Sequence, residues 1–207
     1  NGGSGKFFGI DHSPTMVQMA TEHNEKYIKS GVVELKQGSA LDLPYPDNKF
    51  DKVLGVTTFV FWPDPVKGLQ ECWRVLKPGG RCTIISNAYD HPRFEERNKE
   101  WQETSEGFHL YKREQFRELF QQAGFSDVKL ATQDKKNWLV VSGIKSKGKI
   151  TAISKKDEDY EEKMKMAGKP TGKMGQKWLK EMSNTRGPLL IWAQRYRMKP
   201  IDWSKDK

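Results

Sequence analysis

Cysteine is nearly absent: Cys72 and Cys82 are the only two in 207 residues, too few for a disulfide framework. Four histidines, His12, His23, His91 and His109, are scattered without metal-ligand spacing, so no metal centre is expected. Both cysteines fall among apolar residues and read as small core side chains. No apolar run approaches the length needed to cross a bilayer, and the first residues lack a secretory-signal layout. A cytoplasmic protein with no membrane partner is the expectation. The phrases that mark common RNA-recognition modules are missing too.

Charge is plentiful but unevenly placed. The chain carries 36 Lys+Arg against 27 Asp+Glu. Residues 1–144 are balanced at 19 of each sign, whereas residues 145–207 hold 17 basic and 8 acidic residues. The basic stretch reads as a solvated surface and linker, interrupted by the acidic residues near 160. A surface that attracts nucleic acid or an acidic protein is the other reading. The length suits one domain with an appendage: an α/β core over 1–144, a basic linker over 145–172, and a helical segment over 173–207.

Residues 42–80, DLPYPDNKFDKVLGVTTFVFWPDPVKGLQECWRVLKPGG, are the most informative stretch. Val53, Leu54 and Val56 make a short apolar run typical of a strand covered on both faces. Residues 57–62 should then sit at its carboxyl end, where open α/β sheets bind ligands. Pro63-Asp64-Pro65 opens a helix with Leu69, Cys72, Trp73, Val75 and Leu76 on one face, and Lys77-Pro78-Gly79-Gly80 closes it. RCTIIS, from Arg81, is the next strand. FFGID, ending at Asp11, and VVELKQG, from Val32, read as two earlier strands.

On these motifs the chain resembles the class I S-adenosylmethionine-dependent methyltransferases. RVLKPGG following FDKV is the most specific part of the match. FRELFQQAGFSDV resembles the helix and turn before the family's sixth strand, and NWLVVS its seventh, which returns antiparallel. The resemblance implies a Rossmann-like three-layer α/β sandwich: a mostly parallel sheet with an antiparallel last strand, plus carboxyl-terminal helices. It further implies S-adenosylmethionine as cofactor and a small-molecule methyl acceptor, with a homodimer among the expected assemblies. The family's glycine-rich loop after its first strand has no counterpart in these residues. In the family, one or two helices and a Lys-Pro-x-Asp phrase precede that strand; here they come last, which suggests a circularly permuted order. Without a substitute for the first strand the sheet would be split. KITAIS, from Lys149, or a partner subunit are the candidates to fill the gap. Residues 173–196 show helical apolar spacing through Trp178, Leu179, Met182, Leu189, Leu190, Trp192, Ala193 and Tyr196.

The cofactor site is read residue by residue. Asp11 closes a strand where a carboxylate can accept from both hydroxyls of a ribose, the role the resemblance implies for it. A turn role is the structural alternative. His12 is placed to pack beside the adenosine. Ser39, Ala40 and Leu41 match the family's adenine loop, with serine where an acidic residue is usual. Thr57, Thr58 and Phe59 occupy its cofactor-facing loop. On the substrate side stand Phe61, Trp62 and Tyr89, and Trp192 and Tyr196 from a lid. His91, beside Tyr89 and Asp90, is a weak candidate for a catalytic base.

Three functions follow: a small-molecule methyltransferase, a non-catalytic methyltransferase-like module that binds RNA or protein through its basic tail, and a nicotinamide-dependent dehydrogenase. RVLKPGG and the hairpin pattern from Asp127 to Ser142 oppose the third.

Overall fold

The computed structural model describes residues 5–133 and 135–147, and the backbone of Leu189–Ala193. Seven strands form one sheet in the order β2-β1-β7-β3-β4-β6-β5. In chain order the strands are β1 (Phe7–Asp11), β2 (Val33–Gln37), β3 (Phe50–Val56), β4 (Leu76–Ser86), β5 (Ser126–Gln133), β6 (Trp138–Ile144) and β7 (Leu189–Ala193). Helices α1 (Pro14–His23) and α2 (Glu25–Lys29) link β1 to β2, and α3 (Pro65–Val75) links β3 to β4. Between β4 and β5 lie α4 (Glu95–Thr104) and α5 (Arg113–Gln122). The first five strands of the spatial order run parallel, and β6 is antiparallel to both β4 and β5. This is the expected mostly parallel α/β sheet with an antiparallel return.

The strand FDKVLGV is buried because α3 and α5 cover one face of the sheet. Leu69, Cys72, Val75, Phe116 and Phe120 meet Val53, Ile84 and Leu139 there, all fully buried. Leu54 and Ile85 point the other way, alternating as strand geometry requires. At Gly55 a Cβ would lie 2.7 Å from Ile84 Cδ1, so neighbouring strands need glycine there. Asp64 caps α3 by accepting from the Lys67 N–H at 2.9 Å, with Pro65 in the first turn. At the other end the helix stops at Val75, and Lys77-Pro78-Gly79-Gly80 already belongs to the eleven-residue β4. They still make the expected tight turn within it: Leu76 pairs with Phe50 and Arg81 with Lys52, so Lys77-Pro78-Gly79-Gly80 bulges out of the pairing with β3, with Gly79 at φ +82.

Two expectations fail. Lys145 does not begin a solvated linker: it is 6% exposed, and its ammonium donates to Asn48 Oδ1 at 2.9 Å and to the Arg74 carbonyl at 3.2 Å, over the Trp73 ring. A cation at the last carbonyls of α3 complements the helix dipole, and burial lowers its pKa. Second, Leu189–Ala193 is a strand and not a helix, within a segment expected to be helical. It pairs in parallel with β1 (Phe8↔Leu190) and with β3 (Leu54↔Ile191), in the central position that the sheet needed filled. A five-residue apolar run looks the same on a helix face or in a central strand, and the two open sheet edges decide between them. KITAIS lies outside the described residues.

Candidate functional site

The carboxyl ends of β1, β3 and β4 converge on one edge of the sheet, and this edge gathers most of the expected site residues. Asp11 ends β1 with its side chain 12% exposed. Its Oδ1 accepts from the Ser13 N–H at 2.9 Å, with His12 Nδ1 3.5 Å away. The aspartate therefore shapes the turn into α1, while Oδ2 has no partner among the described residues. His12 is largely exposed.

Gly38 N–H donates to the Asp11 carbonyl at 3.0 Å, which seats the adjoining 39–42 turn beside Asp11. Within the turn Ser39 Oγ accepts from the Leu41 N–H at 3.1 Å. Ser39 thus keeps its O–H to donate, whereas the Leu41 N–H is already used. Ala40 is half-buried against the core.

After β3, Thr57 adopts φ +54, a conformation β-branched residues rarely take. Its N–H donates to the Ile85 carbonyl at 2.7 Å, tying the loop to β4. Thr58 is 7% exposed and its Oγ1 is buried without a partner. That hydroxyl sits 3.5 Å from where a Cβ on Gly55 would lie. Phe59, expected to face the cofactor, is fully buried instead, packed on Trp62, Tyr111 and Phe116. Only its backbone can reach a ligand.

Of the residues expected to face an acceptor, Phe61 is 36% exposed and meets Phe108 edge to face at 5.6 Å. Trp62, in contrast, is buried over Gly68, with no room for any side chain at that glycine. Tyr89 is 2% exposed. It borders an open cleft of about 370 Å³ with Asp90, His91, Lys112, Arg113 and Thr132. His91 Nδ1 accepts from the Arg93 N–H at 3.1 Å, so the neutral ring held this way carries its proton on Nε2. Of Trp192 only the backbone is described, and Tyr196 lies outside the described residues.

Two supports of this side carry no signal in the sequence. Asn98 and Asn137, both buried, donate to the Tyr89 carbonyl at 3.0 and 3.3 Å and hold that loop in place. Residues 105–112 cross the edge as a strap, through His109 N–H to the Val60 carbonyl and Asp90 N–H to the Tyr111 carbonyl. Asparagines and a loop crossing carry no periodicity, so nothing in the chain pointed to them. Burial raises the Cys72 thiol above its ordinary pKa, which excludes it as a thiolate nucleophile.

Residues 1–84 match the family model of a methyltransferase domain. The chain is similar to the class I S-adenosylmethionine-dependent methyltransferases in sequence and in fold. It is 36% identical over 124 residues to a chloroplastic 2-methyl-6-phytyl-1,4-hydroquinone methyltransferase of Oryza sativa, covering 58% of this chain and 34% of that protein. It is 30% identical over 151 residues to the demethylmenaquinone methyltransferase of Staphylococcus carnosus, covering 62% of this chain and 61% of that one. The chain thus spans about a third of the length of the plant relatives it matches. A solved methyltransferase from Aquifex aeolicus shares the fold at TM-score 0.53 and 24% identity, over 68% of this chain and 69% of that one. No helix among the described residues is long and apolar enough to cross a membrane.

Proposed function

We propose that this chain is the cofactor- and acceptor-binding part of an S-adenosylmethionine-dependent methyltransferase whose acceptor is a small aromatic molecule of the quinol type. The single observation that carries the reading is the placement of Asp11 Oδ2, an open acceptor at the end of β1, on the same sheet edge as the orphaned Thr58 hydroxyl. These residues fit the group: a carboxylate for the ribose diol, a serine turn beside the base, and a buried donor after β3, one strand removed from β1. S-adenosylmethionine, when bound, supplies the methyl group.

The chain's own residues would position the acceptor and keep water away from it. The exposed Phe61, set against Phe108, offers an aromatic wall suited to an apolar ring. Alignment and desolvation supply much of the rate in such transfers. As held, the His91 Nε2–H can orient an acceptor oxygen but cannot take its proton. The names of the rice and staphylococcal relatives favour a quinol acceptor. The alternative, a non-catalytic module acting through its basic tail, rests on residues outside those described, and the relatives do not favour it.

Calorimetric titration with S-adenosylhomocysteine tests the nucleotide half. The chain is expected to bind, and Asp11→Asn to bind at least about tenfold more weakly, near 1.4 kcal/mol. Equal affinity in both would remove Asp11 from the site. Phe61→Ala should raise KM for a quinol acceptor while leaving S-adenosylhomocysteine affinity unchanged.

A further inference from the structure

The opposite edge of the sheet carries a second constellation that the methyl-transfer reading does not use. Phe8 near the start of β1, Phe50 at the start of β3, and Tyr45 in the preceding loop meet as three nearly perpendicular rings. Their centroids lie 5.7 Å (Phe8–Tyr45), 5.3 Å (Phe8–Phe50) and 5.0 Å (Tyr45–Phe50) apart, with interplanar angles of 78°, 70° and 90°. All three residues are at least nine-tenths buried. The Lys49 ammonium sits in the corner they form, 4.1 Å from the Phe8 centroid, 4.5 Å from Tyr45 and 5.5 Å from Phe50. Each distance is within cation–π range.

A lysine that only shields apolar surface lays its methylenes down and keeps the charged end in water. Lys49 places the charged end itself over the rings, and loss of solvent there lowers its pKa, with Glu34 opposing the shift. The Tyr45 hydroxyl is buried and without a partner, and burial pushes its pKa up to about 12, so the phenol stays neutral. Glu34 adds an anion nearby, shared with Lys36 at 2.8 Å. Three converging π faces, a neutral orphaned hydroxyl and a neighbouring carboxylate are the chemistry that holds an alkylammonium ion.

We propose that Phe8, Tyr45 and Phe50 form a binding site for alkylammonium ions, occupied in this chain by its own Lys49. The site is distinct from the nucleotide edge, since Phe8 and Phe50 open strands whose far ends carry the residues expected to hold the cofactor. Its external ligands are quaternary ammonium groups, borne either by a small molecule or by a methylated lysine.

The experiment is an NMR titration of the chain and of Lys49→Ala with tetramethylammonium chloride, against sodium chloride at equal ionic strength. Expected are saturable shifts of the Phe8, Tyr45 and Phe50 ring protons in the variant, with affinity at least about tenfold above that of the parent. Rings that do not respond in the folded variant, or that respond equally in the parent, would overturn the proposal. Should Lys49→Ala not fold, Lys49→Met serves the same titration. In the parent, the Lys49 ε-methylene protons should be shifted upfield by the rings and return toward ordinary values in Tyr45→Leu; unshifted protons would also overturn it. Choline and a trimethyllysine peptide, titrated in parallel, separate the two ligand sources. Tighter choline binding assigns a small cation, and tighter peptide binding assigns a modified protein tail.

Discussion

Helices α1 and α3 flank the same sheet, yet none of the ten residues of α1 is buried, while α3 buries Gly68, Leu69, Cys72 and Val75. Met19 of α1 is 47% exposed; Leu69 of α3 is fully buried. The β3–β6 side holds most of the apolar core, and the β1–β2 side carries Asp11 and the 39–42 turn. The proposed ribose and adenine residues therefore lie on the side with less apolar burial, and Thr58 and Phe61 on the denser one. Low local burial is what permits a ligand-holding region to adjust on binding.

The largest effect should come from the dense side. Phe116→Ala removes a ring packed on Phe59 and Tyr111 and should cost about 3–5 kcal/mol in urea unfolding. A loss no larger than that of a surface change would break the contrast. Gly68→Ala drives a Cβ into the Trp62 indole and should cost about 2 kcal/mol.

Arg74 bridges the two sides, and its replacement sharpens the comparison. Its guanidinium donates to Glu71, Asp47 and the carbonyls of Leu43 and Tyr45, binding α3 to the loop that follows the 39–42 turn. Arg74→Met should cost about 1.5 kcal/mol, discounted because the pair is partly exposed. The hydrogen bond from Arg74 lowers the Glu71 pKa below its ordinary 4.5. The stability linked to it is thus present above that value and lost as pH falls through the lowered one. Unfolding free energies measured from pH 6 downward should show a shallower acid decline in Arg74→Met than in the parent. Met19→Ala, on the open side, should change stability by less than about 0.5 kcal/mol.

Much of the fold was legible because its signals are local. Asp64 and Pro65 start α3 through a cap that needs only neighbouring residues, and FFGID and VLGV are strands by their own apolar runs. The position of Asp11 at the end of β1 was legible because FFGID is an apolar run that ends in an acid, whereas its bond to the Ser13 N–H was not, since Ser13-Pro14 already supplied the helix start. Phe59, Trp62 and Lys145 were not legible. An aromatic after a strand can face a ligand or the core, and a lysine opening a basic stretch looks solvated until Trp73 and the end of α3 are set beside it.

The sequence by itself determined the order of the strands from β1 to β6 with α3 and α5 between them, the cap that starts α3, and the acidic residue that ends β1. These depend on periodicity and on hydrogen bonds between near neighbours. The tertiary structure alone decided that Leu189–Ala193 is a central strand, that Phe61 faces out while Phe59 faces in, and that Lys49 rests over three rings. Each of those outcomes depends on partners far away in the chain. An open pair of sheet edges, a packed helix or a converging set of π faces exists only once the chain has folded.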